Sequence, residues 1–341
     1  MKEFELFFDS MYLIFVIFLG IRMLLLRKEN SGLVGAMAML LGLGDAFHLI
    51  PRIIANAQAN GFELHAADLF FGTRVSAMTM SLFYLLFYYY IRREMKASNR
   101  TLDVLMPGLF LIRIGTVILS FNHAQTMDLI SNIPFVIMGL VDIVLLYKKR
   151  YNTNFGKLYL YVFFSFLFYV PVVLFKETMP TIGMLMMPKT VMYVLIVWTL
   201  YGNLKGEFDK NDLLQFALAY LFFGVFAGAF YREIGKIYPV VSKMAFLHVH
   251  LIVLGFVLLT LAYLLLRDRA YENVRLKKIL TIYNFGMFFS FSAMFLHGMI
   301  DSYTVGDVAR IGMVAVSGVG HIFLTAAFIW AAASGLKVIE A

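Results

Sequence analysis

Apolar runs of helical length follow one another along the whole chain, each separated from the next by a short polar or charged connection. They fall near residues 7–27, 32–52, 68–91, 103–121, 129–147, 157–175, 181–202, 212–231, 244–266, 277–300 and 309–335. Each is long enough to cross a hydrocarbon core of about 30 Å at about 1.5 Å per helical residue. The pattern predicts an all-α polytopic integral membrane bundle of about eleven transmembrane helices. Alternating strand patterns are absent, which excludes a β-barrel. The opening Met1-Lys2-Glu3-Phe4-Glu5 has neither a basic n-region nor a small-residue cleavage site, so the first run is expected to be a retained helix. The most polar connection of the second half, Gly206-Glu207-Phe208-Asp209-Lys210-Asn211-Asp212, predicts a boundary. It divides a seven-helix unit (1–205) from a four-helix unit (206–341).

Composition agrees with lipid as the solvent. Hydrophobic residues make up 61% and charged residues only 15% of the chain, against roughly a quarter charged in soluble domains. With no cysteine, disulfides, thiolate metal sites, iron–sulfur clusters and covalently attached haem are all excluded. Charge then predicts orientation. Eighteen basic residues, among them Arg92, Arg93, Lys96, Arg100, Lys148 and Lys149, fall in connections on one side, and seven fall on the other. The positive-inside rule predicts an N-out, C-in protein, expected in a bacterial plasma membrane. Anionic headgroups account for the net charge of +8 without any nucleic acid. Association into a homo-oligomer stays open.

Ionisable side chains inside such runs cost at least about 2–3 kcal/mol each, so every one asks for a reason. The second run carries Asp45 and His48, the third Arg74, the fourth Arg113, the fifth Asp142 and the seventh Lys189. The ninth carries His248 and His250, the tenth His297 and the eleventh His321. Following the alternation of direction, six of the seven histidines, His123 included, belong to the outer half, and only His321 reaches mid-membrane. Asp45 and His48, three residues apart, share a helix face. His297 and Asp301, four apart, suit a carboxylate–imidazole pair. His248 and His250 are about 200° apart and cannot ligate one metal from a regular helix. Plainer roles are open too. Histidines at helix ends serve at the interface, and Arg74 and Arg113 as interhelical partners of Asp45 or Asp142. Lys189, following Pro188, can pair with Asp142 or line a cavity. Gly224-x-x-x-Gly228 predicts a packing face.

Three segments carry a resemblance: Ala217–Glu233, Leu247-His-Val-His-Leu-Ile-Val-Leu-Gly255 and Ser317-Gly-Val-Gly-His321. Over roughly the last 130 residues the chain resembles a bacterial family of four-helix membrane proteins known as domain of unknown function 2871, which implies relatives but no chemistry. The His-x-His also distantly resembles that of haem–copper oxidase catalytic subunits, where one helix presents two histidines to two haems. The double histidine of that pattern is missing, so oxygen reduction is not expected. Asp45-Ala-Phe-His48 faintly resembles the seven-helix zinc hydrolases related to alkaline ceramidase, but their His-x-x-x-His has no counterpart here.

Three functions follow as expectations. The first is a redox protein binding haem b through His248, His250, His297 and His321, with a quinone as electron partner; depth favours His250 with His297. The second is a transporter or permease using Arg74, Arg113, Asp142 and Lys189 as a buried charge network. The third is a zinc-dependent hydrolase with a lipid substrate, its metal held by ligands such as His48, Asp45, His123 and Asp301.

Overall fold

The computed structural model describes residues 2–96, 99–121, 124–151, 154–175, 178–238, 243–267, 273–300 and 307–339. All regular structure among them is helical. In chain order come α1 (Lys2–Leu25), α2 (Ser31–Ala57), the short α3 (Gly61–Leu64), α4 (Ala66–Met95), α5 (Arg100–Leu119), α6 (Ala124–Lys148) and α7 (Leu158–Phe175). A 3₁₀ turn (Pro180–Leu185) leads into α8 (Met186–Lys205), followed by α9 (Asn211–Ile234) and α10 (Lys243–His250). A π-helix (Leu251–Val257) joins α10 to α11 (Leu258–Leu266), and α12 (Asn273–Ile300) and α13 (Asp307–Ile339) complete the chain. Eleven spans among the described residues are long and apolar enough to cross a membrane. The ninth is the composite of α10, π-helix and α11.

Two compact units form, with one break between Leu204 and Lys205 and further breaks earlier in the chain. One unit combines residues 1–26, 52–65 and 205–341; the other combines 27–51 and 66–204. The first helix therefore belongs with the C-terminal ones. Its apolar side carries Phe18, whose ring meets those of Phe216, Tyr220 and Phe223 on α9 at 4.7–6.3 Å. One turn further, Arg22 is fully buried, bonds Asp212 at 3.2 Å and lies 3.6 Å from the centroid of Phe216. That ion pair ties α1 to the start of α9, a coupling no local periodicity announces.

Within this C-terminal unit, small residues bring helices close. A side chain added at Gly224 would meet Ile252 at 2.8 Å, and Gly228 lies against the His248 ring. Gly224-x-x-x-Gly228 is thus the face on which α9 receives α10 and the π-helix. Gly286 and Gly320 do the same between α12 and α13. The π-helix itself is pinned twice. Gly255 backs directly onto Tyr220, and the Tyr283 hydroxyl donates to the Leu254 carbonyl at 2.6 Å. A widened turn displaces carbonyls from their usual donors, so a side-chain donor there satisfies a group that would otherwise be orphaned.

The other unit is built around aromatic rings. Phe83, Tyr84 and Phe87 of α4 are fully buried, and Tyr84 packs on Phe135 of α6 and Phe166 of α7 at 5.3 and 5.1 Å. Gly72 lets α4 approach the backbone of α2 at Phe47 and His48. At the far end of α4, Arg92 holds Asp103 of α5 through two bonds of 3.1 and 2.9 Å, with the Tyr88 hydroxyl donating to the same carboxylate. Pro107, Pro134 and Pro171 sit inside helices, as membrane helices tolerate.

Candidate functional site

Two of the ionisable residues expected on separate helices of residues 27–204, Arg113 and Lys189, lie against one aromatic layer. Arg113 on α5 is buried and donates to Ser131 Oγ on α6 at 2.6 Å. Its guanidinium carbon lies 5.4 Å from the centroid of Phe135, one turn along α6 from Ser131. The Phe135 ring meets Tyr169 of α7 at 5.5 Å, and the Tyr169 hydroxyl donates to Asn132 Oδ1, beside Ser131. Tyr169 in turn carries the ammonium of Lys189 on its face at 4.6 Å, with Tyr193 completing the cradle at 5.3 Å. Two cations thus share one layer, joined through Phe135 and Tyr169.

On α2 and α4, Ser76 donates a short hydrogen bond to Asp45, and Asp45 acts electrostatically on Lys189. Arg74 stacks 3.7 Å over Phe70 and donates to Thr73. Of the partners open to Arg74, Arg113 and Lys189, Asp45 or Asp142 for the arginines and Asp142 or a cavity for the lysine, Asp142 makes no hydrogen bond among the described residues. Asp142 is 0% exposed, and neither carboxylate oxygen has a hydrogen-bond partner among the described residues. Helical rise sets it apart from Lys189. Asp142 lies six residues from the end of α6, about 9 Å, whereas Lys189 lies sixteen residues from the corresponding end of α8, about 24 Å.

Between those two depths run hydroxyls that the sequence reading did not single out. Tyr84 is fully buried, and its hydroxyl is 3.1 Å from Ser165 Oγ. Tyr193 is a further hydrogen-bonding neighbour, while Tyr169 and Asp142 lie close enough to act on Tyr84 electrostatically. A serine or tyrosine in an apolar run costs little on a hydropathy scale, so nothing in composition flagged them. The only available signal was position, since Asn132, Phe135 and Tyr169 all lie within three residues of Pro134 or Pro171. Each proline lacks an N–H, which leaves the carbonyl four residues earlier without its helical donor.

The histidines are arranged differently. His248 packs its ring against Gly228 of α9, and its Nδ1 is buried without a hydrogen-bond partner among the described residues. His250, on the other side of α10, is half-buried and directs Nδ1 to the carbonyl of Phe246 at 2.8 Å. His321 of α13 is exposed and makes the same contact to Ser317 at 2.7 Å. His297 is half-buried on α12, beside Gly298, where Met244 of α10 packs. His48 is half-buried on α2. His123 and Asp301, expected as metal ligands, lie outside the described residues. Among the described residues no three His, Asp or Glu side chains group as a metal site.

The α9–α13 region has relatives, and the geometry of its Gly224–Gly228 face and π-helix follows the segments that suggested them. Residues 210–335 match a family described as a protein of unknown function, DUF2871. The match begins at the start of α9 and ends within α13, so it covers the helix pairs pinned by Gly224, Gly228, Gly255, Gly286 and Gly320. The DUF2871 region holds His248, His250, His297 and His321; Arg113, Asp142 and Lys189 lie outside it. No curated protein and no solved structure matches the chain.

Proposed function

We propose that the chain is a proton-coupled solute carrier of a bacterial plasma membrane, oriented N-out and C-in, with its pathway through the polar layer of residues 27–204. Asp142 carries this reading: a carboxyl at 0% exposure, in the apolar part of a membrane helix, with neither oxygen hydrogen-bonded among the described residues. On insertion scales an aspartate at such a depth costs about 2.5–3.5 kcal/mol, and no ion pair among the described residues offsets it. An isolated carboxyl contributes nothing to the fold that leucine would not do better. What it adds is the ability to bind and release a proton inside the membrane, the usual reason for such residues in pumps and transporters. The Ser165 and Tyr84 hydroxyls lie between it and the Lys189 layer and supply donors and acceptors for passing that proton. The proline breaks in α6 and α7 beside that layer supply bending points for a change in access.

The test is current recording on full-length protein in liposomes adsorbed to a solid support. A pH step is expected to evoke a transient current as internal carboxyls exchange protons, and Asp142→Asn to remove most of it. The reading falls if wild-type liposomes give no more current than protein-free ones on pH steps and on steps of lactate, choline and glucose alike.

A second reading rests on the imidazoles of the DUF2871 region. With Nδ1–H given to a carbonyl four residues back, His250 and His321 each keep Nε2 as the basic, ligating nitrogen, the tautomer that a haem iron takes. Those residues fit an axial role, and haem b there would supply one-electron chemistry with a membrane quinone as partner. A reduced-minus-oxidised visible spectrum of the purified protein, with His250→Ala and His321→Ala beside it, decides this reading independently of any current.

A further inference from the structure

Where α6 ends and the connection to α7 begins, four bases follow one another with no acidic residue among them: Lys148, Lys149, Arg150 and Lys157. Neither aspartate nor glutamate occurs anywhere from Ile143 to Lys176. Glu94, which accepts from Asn154 of this connection at 3.1 Å, is also engaged by Asn30 at 2.7 Å. We propose that this end of α6 binds an anionic phospholipid, with Arg150 on its phosphate and an acyl chain along the exposed side of α6. Lys148, Lys149 and Lys157 are exposed, and their side chains make no hydrogen bond or ion pair among the described residues. Arg150 is held in place. Its guanidinium carbon lies 4.1 Å from the centroid of Tyr147 and 4.3 Å from that of Tyr151. One terminal nitrogen donates to the Tyr147 carbonyl at 2.9 Å and the other to the Tyr151 hydroxyl at 3.0 Å. A guanidinium has more N–H donors than these two bonds use, so the rest can meet a phosphate from a side chain already fixed.

The surface that continues from Arg150 identifies the anion as a lipid. Ile137, Leu140 and Val144 are exposed, and with Tyr147 they recur at steps of three and four residues, in one line along α6. From Ile137 to Tyr147 that line rises about 15 Å, half of a hydrocarbon core of about 30 Å and so the depth of one leaflet. Tyr147 closes the line, its ring edge-on to Tyr159 of α7 at 5.4 Å, as amphipathic rings sit at headgroup level. A free phosphate or an acidic peptide would use the bases and leave the apolar line idle. Phosphatidylcholine would bring its own cation among the lysines. An anionic phospholipid matches both parts. Consecutive α-carbons are about 3.8 Å apart, so Lys148 and Lys149 act on a headgroup at Arg150 within the Debye length of about 8 Å. This site is independent of the carrier and haem readings.

Native mass spectrometry of the full-length protein tests it, with graded phosphatidylglycerol or phosphatidylcholine of the same acyl chains added in detergent. Phosphatidylglycerol is expected to be retained at concentrations where phosphatidylcholine is not. A base near the membrane surface is worth about fivefold in such binding, so Arg150→Ala should weaken retention by that factor or more, and Arg150→Lys by less. Lys278→Ala removes the same charge from an exposed position in the second turn of α12 and should leave retention unchanged. Should Arg150→Ala fail to fold, Lys148→Ala combined with Lys149→Ala carries the same prediction without touching packed side chains. Millimolar inorganic phosphate or glycerol 3-phosphate, heads without tails, should not displace the lipid. The proposal is overturned if both lipids are retained equally, if Arg150→Ala retains phosphatidylglycerol like wild type, if Lys278→Ala costs as much as Arg150→Ala, or if inorganic phosphate displaces the lipid.

Discussion

Replacing Asp142 by leucine separates a functional carboxyl from a structural one, because the two roles give opposite signs. The side chain is fully buried, both oxygens lack hydrogen-bond partners among the described residues, and leucine has the same branched outline with methyl groups in place of oxygens. Removing an unpaired buried polar group returns about 1–3 kcal/mol on mutational scales. The larger volume of leucine takes back about 1 kcal/mol through tighter packing in the α6–α7 interior. The net expectation is between no change and a gain of about 2 kcal/mol, or a rise of about 0–8 °C in the unfolding midpoint for a unit of this size. The assay is thermal unfolding of detergent-solubilised protein, followed by tryptophan fluorescence from Trp198 and Trp330. Asp142→Asn, which keeps shape and polarity, should fall within about 0.5 kcal/mol of wild type. Both variants should lose the pH-step current. A fall of several degrees in Asp142→Leu would refute the reasoning, since it would mean that the carboxyl has a stabilising partner in the folded protein.

Other expectations follow from single contacts. Gly72→Ala drives a methyl into the backbone of α2 at Phe47 and should cost about 1–3 kcal/mol or more, whereas Gly228→Ala meets the His248 ring only at 3.5 Å and should be nearly neutral; paired melts compare them. Tyr283→Phe leaves the Leu254 carbonyl without its 2.6 Å donor, at a cost of about 1–3 kcal/mol, and amide exchange should quicken across residues 251–257 and not in α5. Asp212→Leu removes the carboxylate that the buried Arg22 bonds at 3.2 Å and Lys205 meets at 3.8 Å, and should destabilise by about 3–5 kcal/mol, with part of the loss recovered when Arg22→Met is added.

Eleven spans were legible from hydropathy alone because a membrane helix must satisfy its own backbone and face hydrocarbon along its whole length, so one local property fixes its existence and extent. The chosen limits of α7 and of the composite ninth span were met within a residue, and only helices whose polar ends continue beyond the lipid-length run, such as α2 and α4, extended further. The Gly224–Gly228 contact was legible for a related reason: small residues four apart admit few uses other than close approach.

What hydropathy could not decide was partnership. Arg22 sits in an apolar run much as Arg74 does, yet only tertiary packing gives it Asp212, 190 residues away, and draws α1 to the C-terminal helices. The charges Arg113, Asp142 and Lys189 were each visible in the sequence as expensive. Depth and helix rotation, which a periodic pattern constrains only loosely, joined Arg113 to Lys189 through two aromatic rings and left Asp142 apart. The sequence by itself determined that these residues lie in the membrane. The tertiary structure decided which of them meet, because ion pairs and hydrogen bonds act over about 3–4 Å, a length shorter than the uncertainty in any helix register read from sequence.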